Sequence, residues 1–330
     1  MAGLKALRKI QFGPELVAGD ATGCTQAWRG LGTMEDQRTV AFADEDVAIM
    51  QDTNRAYVPK LQAAITWDSV PATFEQLPYV FNAGIKLVTA SVSGSGCAYI
   101  YPVATTSANA IQTYTIEAGD NQQATEMEYS FVKSFTLDGK AGEAWMVTAD
   151  WIGRQVADCT YTAGVSLVTV EEMLFSKSTL YIDPVATIGN TTQSNTMLSA
   201  TLAVPDTGNV PVFTADNALY FSYQKQQRPG DQMTLAVTFE HNASSETELA
   251  AYRAKTPRGI RIKTLGTALA TAALFTNKTM IIDAYGVWSK FDKLGEQDGN
   301  DIVVGTLRIG YNATSAKALE ITVVNEVAAL

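Results

Sequence analysis

The residue types that most often perform chemistry are scarce in this chain. Its 330 residues include one histidine, His241, and three cysteines, Cys24, Cys97 and Cys159. A Cys–His nucleophile or a zinc site needs such side chains close together, and no C-x-x-C pair occurs. We expect three reduced, mostly buried thiols and a surface or capping role for His241. The sequence therefore predicts no catalytic residue, no metal site and no cofactor.

The other motifs with chemical potential are incomplete. Gly94-Ser-Gly96 lacks the remaining glycine and the lysine of a phosphate-binding loop, so we expect a turn. Asp44-Glu-Asp46 and Glu171-Glu172 lack the ligand spacing of a calcium loop, which favours solvated faces. Glu248 is best explained by a helix cap. With no G-x-S-x-G or H-E-x-x-H motif either, we predict that the protein is not an enzyme.

The charge balance is acidic. Lysine and arginine total 24 against 34 aspartates and glutamates, which gives a net charge of −10 at pH 7. A protein that grips nucleic acid over its whole surface is therefore disfavoured. Arg261 and Lys263, in the densest basic group, alternate with isoleucines, and we expect a solvent-facing or subunit-facing strand rather than a phosphate site. The longest apolar run, 265–275, is far short of the ~20 residues that cross a bilayer, so no membrane span is predicted.

The elements that would position these residues recur in the same order twice. Alternation over 60–67 predicts a strand, Thr73 to Gln76 predicts a capped helix over about 73–83, and 84–89 predicts a return to strand. Alternation over 232–239, a capping box from Ser245 to Glu248 with a helix over 245–256, and a strand over 259–264 repeat this order.

The spacing supports a duplication. Leu61 and Ile65 match Leu235 and Phe239 at a separation of 174, and Phe131 matches Trp288 at 157. The second match lies in a two-strand hairpin, 129–153 in the first copy and 280–311 in the second. The first copy carries extra residues within 90–128, interpreted as a long loop or hairpin.

We predict a mainly β protein with minor α content, built of two tandem β-sandwich domains with one flanking helix each. The first domain covers 57–183 and its duplicate covers 196–328. Residues 1–56 are predicted to form an N-terminal arm with a short strand at 39–42. The mixed charge of this segment is typical of a solvated loop, and the alternative is an extension that docks on a neighbouring subunit. The arm residues predicted to contact that subunit are Trp28, Arg29, Phe42, Asp44, Glu45, Asp46 and Arg55.

Several runs resemble the tail tube subunits of long-tailed bacteriophages (siphophages). The resemblance is best over residues 8–90 and looser over the rest. It rests on Lys9-Ile-Gln-Phe-Gly13, Trp28-Arg-Gly-Leu-Gly-Thr33, Val40–Val47, Tyr57-Val-Pro-Lys-Leu61, Pro71-Ala-Thr-Phe-Glu-Gln-Leu-Pro-Tyr79 and Ala83-Gly-Ile85. These are family patterns rather than a catalytic signature.

The resemblance implies β-sandwich subunits whose strands join across subunits into a β-barrel, in rings that stack into a tube. The usual ring is a hexamer of single domains, so two copies per chain imply a homotrimer with pseudo-sixfold symmetry. The implied location is the virion tail, after assembly in the bacterial host cytoplasm. The implied partners are other copies of itself and the tape measure, tail-tip and terminator proteins. DNA would pass through the lumen without specific binding, which suits an acidic protein.

Two other classes stay open from the sequence. One is another virion component or a secretion-system tube. The other is a carbohydrate- or peptide-binding β-sandwich module, which an exposed aromatic cluster would favour, and Trp145, Trp151 and Tyr161 are its first candidates.

Overall fold

A computed structural model describes residues 3–215 and 218–330. The protein is mainly β, as predicted, and its described part holds two α-helices. The strands up to residue 159 are β1 Lys9–Pro14, β2 Gln26–Ala27, β3 Gly32–Asp36, β4 Thr39–Phe42, β5 Ala56–Lys60, β6 Ala63–Pro71, β7 Ser91–Ser93, β8 Gly96–Pro102, β9 Tyr114–Gly119, β10 Ala124–Lys140, β11 Met146–Gly153 and β12 Ala157–Cys159. The later strands are β13 Ser178–Asp183, β14 Thr192–Gln193, β15 Met197–Val204, β16 Asn209–Val212, β17 Tyr223–Gln226, β18 Thr234–Glu240, β19 Arg258–Ala268, β20 Asn277–Phe291, β21 Gly295–Gln297, β22 Asn300–Ile309 and β23 Leu319–Asn325. The helices are α1 Leu77–Gly84 and α2 Ala243–Ala254.

Eight antiparallel strands form one continuous row. Their order is β3-β6-β11-β10-β15-β18-β22-β20. The first four strands and the last four follow the same connectivity, and the pairing of β10 with β15 joins the two sets. Among the described residues, no pairing connects β3 back to β20, so the row stays open at both ends.

A second layer of strands packs against each half of this row. The long strand β10 breaks register between Met127 and Ser130, and its first part pairs with β9, which pairs with β1. Phe12 of β1 contacts Trp67 of β6 at 5.5 Å between ring centroids, and Trp67 contacts Trp151 of β11 at 4.5 Å. In the second half, β13 and β19 take the corresponding places beside β20. Apolar side chains facing each other across the two layers form the core.

The predicted arm contains four paired strands, β1 to β4. Ile10 and Phe12 of β1 are buried in the main core, and β3 pairs with β6 along its whole length. The strands β4 and β5, at the end of this segment, pair only with each other and form a hairpin. The strand predicted at 39–42 is present as β4. β1 is buried on both faces and therefore lacks the alternation that marks a half-buried strand, so the sequence pattern does not indicate it.

The helices differ from their predicted starts. Thr73 accepts a hydrogen bond from the Gln76 amide, but α1 begins only at Leu77. Pro78 therefore lies in the first turn, where its missing N–H costs nothing and no kink results. Asn242 caps α2 in a reciprocal box with Ser245, so this helix starts at residue 243 rather than 245.

The strand predicted at 84–89 is absent. After α1 the chain takes a longer path through β7 and β8, which pairs with β23, and returns to the second layer only at β9. In the second half, the return from α2 to β19 takes three residues. The extra residues of the first half therefore lie mainly before β9.

Candidate assembly interface

The structure separates the predicted arm residues into two groups. Trp28 is buried at 6% exposure and stacks on Trp67 with ring centroids 4.2 Å apart. Arg29 donates from Nη2 to the Val168 carbonyl at 2.7 Å. Both side chains are thus engaged within their own chain, whereas the remaining five lie together on the β4–β5 hairpin.

That hairpin projects apolar and acidic side chains. Phe42 is 70% exposed, and Arg55 forms an ion pair with Glu45 across the base of the loop. Asp44 and Asp46 flank this pair in the same loop. The hairpin therefore offers a surface that its own chain does not cover.

The sequence motifs considered for chemistry have structural partners. Glu248 is buried and accepts hydrogen bonds from Arg258 at 3.0 Å and from the Trp288 indole at 2.8 Å, so it braces α2 against β19 and β20 instead of capping the helix. Arg261 is held by Asp283 through two bonds of 2.6 and 2.7 Å, which removes it from a phosphate patch.

Glu171 is not part of a solvated face. Its carboxylate accepts from the Thr267 amide at 2.7 Å and lies 3.3 Å from Lys278, which also reaches Glu75 at 2.7 Å. Burial raises the pKa of Glu171, but these hydrogen bonds and the lysine outweigh it and hold the pKa below its ordinary value.

The cysteines and the histidine do not meet. Cys24 and Cys97 are buried free thiols, and burial together with the Glu117 carboxylate raises the pKa of the half-buried Cys159 to about 11. His241 lies just before α2 and places Nε2 3.4 Å from a Glu246 oxygen. No cluster of histidine, cysteine and acidic residues suited to a metal ion occurs within 3–215 and 218–330.

Two of the three candidate aromatics for ligand binding are core residues. Trp145 and Trp151 are 0% and 1% exposed. The third, Tyr161, has the Lys9 amine over its ring at 3.9 Å. The residues singled out from the sequence therefore form no exposed aromatic platform.

The open ends of the row are the features that sequence reasoning missed. At one end, the Asp68 amide donates to the Leu31 carbonyl and the Gln37 amide donates to the Gln62 carbonyl. The backbone N–H and C=O groups of the odd-numbered residues of β3 therefore point towards β6. Antiparallel pairing alternates direction, so the backbone groups of Gly32, Met34 and Asp36 point outward. No strand in the described part of the chain pairs with them.

The other end is the last part of β20. Beyond Gly286, β20 pairs with β22 on one side, and within the described ranges β19 no longer covers the other. The Asp292 amide donates to Val304 of β22. The backbone groups of Phe291 and Lys293 therefore point away from β22, towards the open side.

The internal junction between β10 and β15 pairs strands that hold positions equivalent to the two open ends. Phe135 lies opposite Val204 and Leu137 lies opposite Leu202. The two halves can be aligned by the bulges of β10 and β20, which makes Trp151 of β11 equivalent to Leu307 of β22. In this alignment Phe291 is the equivalent of Phe135. The pairing of β3 with β6 and of β18 with β22 then makes Asp36 the equivalent of Val204. The open ends are thus the two halves of the same junction, carried on opposite sides of one chain.

The surface of the row that faces away from the core is polar. Asp150 accepts from Thr66 and Ser134 at 2.6 Å each, and Asp138 accepts from Thr201 at 2.5 Å. Side chains directly opposite each other across paired strands share one face. Hydroxyl side chains on this polar face are Thr33, Thr66, Ser134, Thr136, Thr148, Ser199, Thr201, Thr234, Thr238 and Thr306.

No protein-family model and no curated protein matches the chain. The function is therefore argued from the geometry described above. No helix in the described ranges is long and apolar enough to cross a membrane.

Proposed function

We propose that this protein is a structural subunit that assembles into stacked rings forming the tail tube of a long-tailed bacteriophage. The observation that carries the proposal is the open row, whose two ends repeat the β10–β15 junction found inside the chain. Pairing β20 of one copy with β3 of the next continues the row without a new type of contact. A head-to-tail interface of this kind gives a closed ring when the repeated rotation closes.

In this proposal the chain contains two tube domains whose boundaries follow the pairing. The first extends from β1 to β12 and the second from β13 to β23, each a two-layer sandwich with one helix. These bounds replace the predicted 57–183 and 196–328, because β1 and β3 pair within the first half and β13 pairs with β19 of the second. Three chains supply six domains and form a pseudo-sixfold ring, with the eight-strand rows joined into a barrel. Closure removes the unpaired edges that otherwise promote aggregation.

The polar face would line the lumen. Three basic side chains share this face, Lys140, Lys290 and Arg308, but hydroxyl and acidic side chains outnumber them. The net charge of −10 adds repulsion of DNA phosphates at long range. This fits a conduit through which DNA moves during ejection. The virion tail as location, and the tape measure, tail-tip and terminator proteins as neighbours, belong to the same proposal.

The junction predicts a specific disulfide. Continuing the internal register places Asp292 opposite Glu35 of the next copy, at a non-hydrogen-bonded position where Cα atoms lie about 4.5 Å apart. We expect the double variant Glu35→Cys/Asp292→Cys to form covalent multimers on oxidation of assembled protein. Glu35→Cys/Lys290→Cys is the matched control, because it shifts one cysteine by two residues along the same face, to about 7–8 Å.

Electron microscopy of the same material tests the assembly itself, with rings of three chains as the expected result. A monodisperse monomer under all conditions, with no covalent multimer, would refute the proposal. Rings that form without the disulfide would support the tube proposal but refute the strand register that places Asp292 opposite Glu35. Locating the protein in virions separates a tail tube from another virion component or a secretion tube.

A further inference from the structure

The β16–β17 hairpin of the second half of the chain is seated on the first half. Phe221, which follows β16, is fully buried, with its ring 5.1 Å from Tyr129 and 5.9 Å from Phe131. Arg154 donates to the Phe221 carbonyl at 3.0 Å and to the Ser222 carbonyl at 2.7 Å. This hairpin therefore has an aromatic anchor in a pocket formed by the first half.

The root of the hairpin is tied to the bulge of β10. The Thr207 amide donates to Lys133 at 2.8 Å, and its hydroxyl donates to Val132 at 3.0 Å. The Asn209 side chain reaches the carbonyl of Gly84 at the end of α1 at 2.8 Å. The seat is thus built from the bulge, the helix end and the pocket.

The β4–β5 hairpin holds the same place in the first half. It connects β3 to β6 as β16–β17 connects β15 to β18, and Thr39 stands three residues after Asp36 as Thr207 stands three after Val204. In contrast to its counterpart, its tip is uncovered: Ile49 is 66% exposed and Met50 is 99% exposed. The base of the hairpin does make a contact, because the Lys60 amine lies 4.6 Å from the centre of the Phe213 ring. Its apolar loop has no seat within the described part of its own chain.

The corresponding seat in the second half is open. The bulge of β20 at Ser289 corresponds to the bulge of β10 at Lys133, and beside it lies a cavity of about 580 Å³. Val287, Trp288 and Tyr311 are among the residues that line this cavity. The cavity adjoins the open end of the row, where the β3 strand of a second copy would pair.

Charge also matches the hairpin to the cavity. Residues 43–55 carry four acidic side chains and one arginine, Arg55, which is already paired with Glu45. The cavity is lined by Arg228 and Arg308 and, among the described residues, by no acidic one. An acidic loop with an apolar tip therefore fits this cavity better than a basic or purely polar segment would.

We propose that the β4–β5 hairpin of one copy docks into this cavity of the next copy, with Ile49 and Met50 inserted beside Trp288 and the loop acids facing Arg228 and Arg308. The proposal rests on the ring-forming function above and specifies its partner surface. In this arrangement the β4–β5 hairpin contacts a second copy in the way that the β16–β17 hairpin, anchored by Phe221, contacts its own chain.

A photo-crosslinking experiment tests the docking. A benzophenone amino acid replaces Met50, and assembled protein from a mixture of light and isotopically heavy chains is irradiated and mapped by mass spectrometry. We expect mixed-isotope crosslinks to residues 286–289 or 308–312. The control places the same probe at Leu274, which is 77% exposed on a different turn, and should not label those residues.

A second variant measures how strongly this contact contributes to ring formation. Ile49→Ser/Met50→Ser should raise the protein concentration needed for ring formation at least tenfold, while Leu274→Ser should leave it unchanged. Rings that form at the wild-type concentration, without crosslinks to the cavity, would overturn the docking and leave the ring intact. Failure of the wild-type protein to form rings at all would overturn both proposals.

Discussion

Replacing Phe221 by alanine should detach one hairpin without unfolding the chain. Phe221 is 0% exposed and forms edge-to-face contacts with Tyr129 and Phe131. Loss of a buried phenylalanine costs about 3–5 kcal/mol in protein cores. Since the hairpin lies at the surface and partly relaxes, we expect about 3 kcal/mol. The matched control is Phe42→Ala in the β4–β5 hairpin, where 70% exposure limits the cost to about 0.5 kcal/mol in the unassembled chain.

Hydrogen exchange on unassembled protein measures both effects. About 3 kcal/mol corresponds to exchange about a hundredfold faster, which we expect at the β16 and β17 amides in Phe221→Ala. The amides of β10 should change far less, because the core that holds them remains. Equal effects of the two substitutions, or a loss below about 1 kcal/mol at Phe221, would refute the idea that this side chain anchors the hairpin.

Three further predictions concern the interior of the chain. Asp183 accepts hydrogen bonds from three backbone amides at 2.8–2.9 Å. Burial opposes ionisation of this carboxyl, yet the hydrogen bonds outweigh burial and lower its pKa below 3.8. The ionised Asp183 therefore stabilises the fold above pH 3.8, and this contribution is lost as the pH falls through the lowered pKa. Asp183→Asn should therefore cost about 1–2 kcal/mol at pH 7 in urea unfolding, and a gap that does not narrow in acid would contradict this. Glu248→Ala should cost about 3 kcal/mol by the same assay, since it strands the Arg258 cation; a loss under 1 kcal/mol would show that the carboxylate is dispensable. Burial and Glu117 raise the pKa of Cys24, and that of Cys159 reaches about 11, so iodoacetamide near pH 7 should label both thiols only in denaturant, and rapid native labelling would show the thiolates to be accessible.

The sequence predicted the strands that are buried on one face. Leu235, Val237 and Phe239 alternate in β18, and the two hairpins built on β10 and β20 lie close to their predicted positions. The match of Leu61 with Leu235 was wrong by four residues: Ile65 and Leu235 hold equivalent places beside β11 and β22. Alternation has a period of two, so any even shift fits equally well, and only pairing partners fix the register.

The candidate interface could not be predicted from the sequence for a related reason. Whether Gly32 and Met34 belong to an interior strand or an open end depends on which strands pair beside them, and alternation carries no such information. The same holds for the hairpins. Phe42 and Phe221 are both phenylalanines in equivalent connections, yet only the second is covered by its own chain.

The junction inside the chain and the proposed junction between copies differ in polarity, and the proposal explains this by when each would form. The β10–β15 junction is made during folding and is apolar, with Phe135 against Val204. The proposed junction between copies would place Phe291 against Asp36 and Lys293 against Met34. Charged residues on exposed edges discourage indiscriminate strand pairing, so a chain with such ends resists aggregation before assembly. A correctly registered neighbour can still place Lys293 near Asp36, because diagonal side chains lie within reach of a long lysine. In the proposed ring, the charges would select the register that the apolar junction inside the chain achieves by connectivity alone.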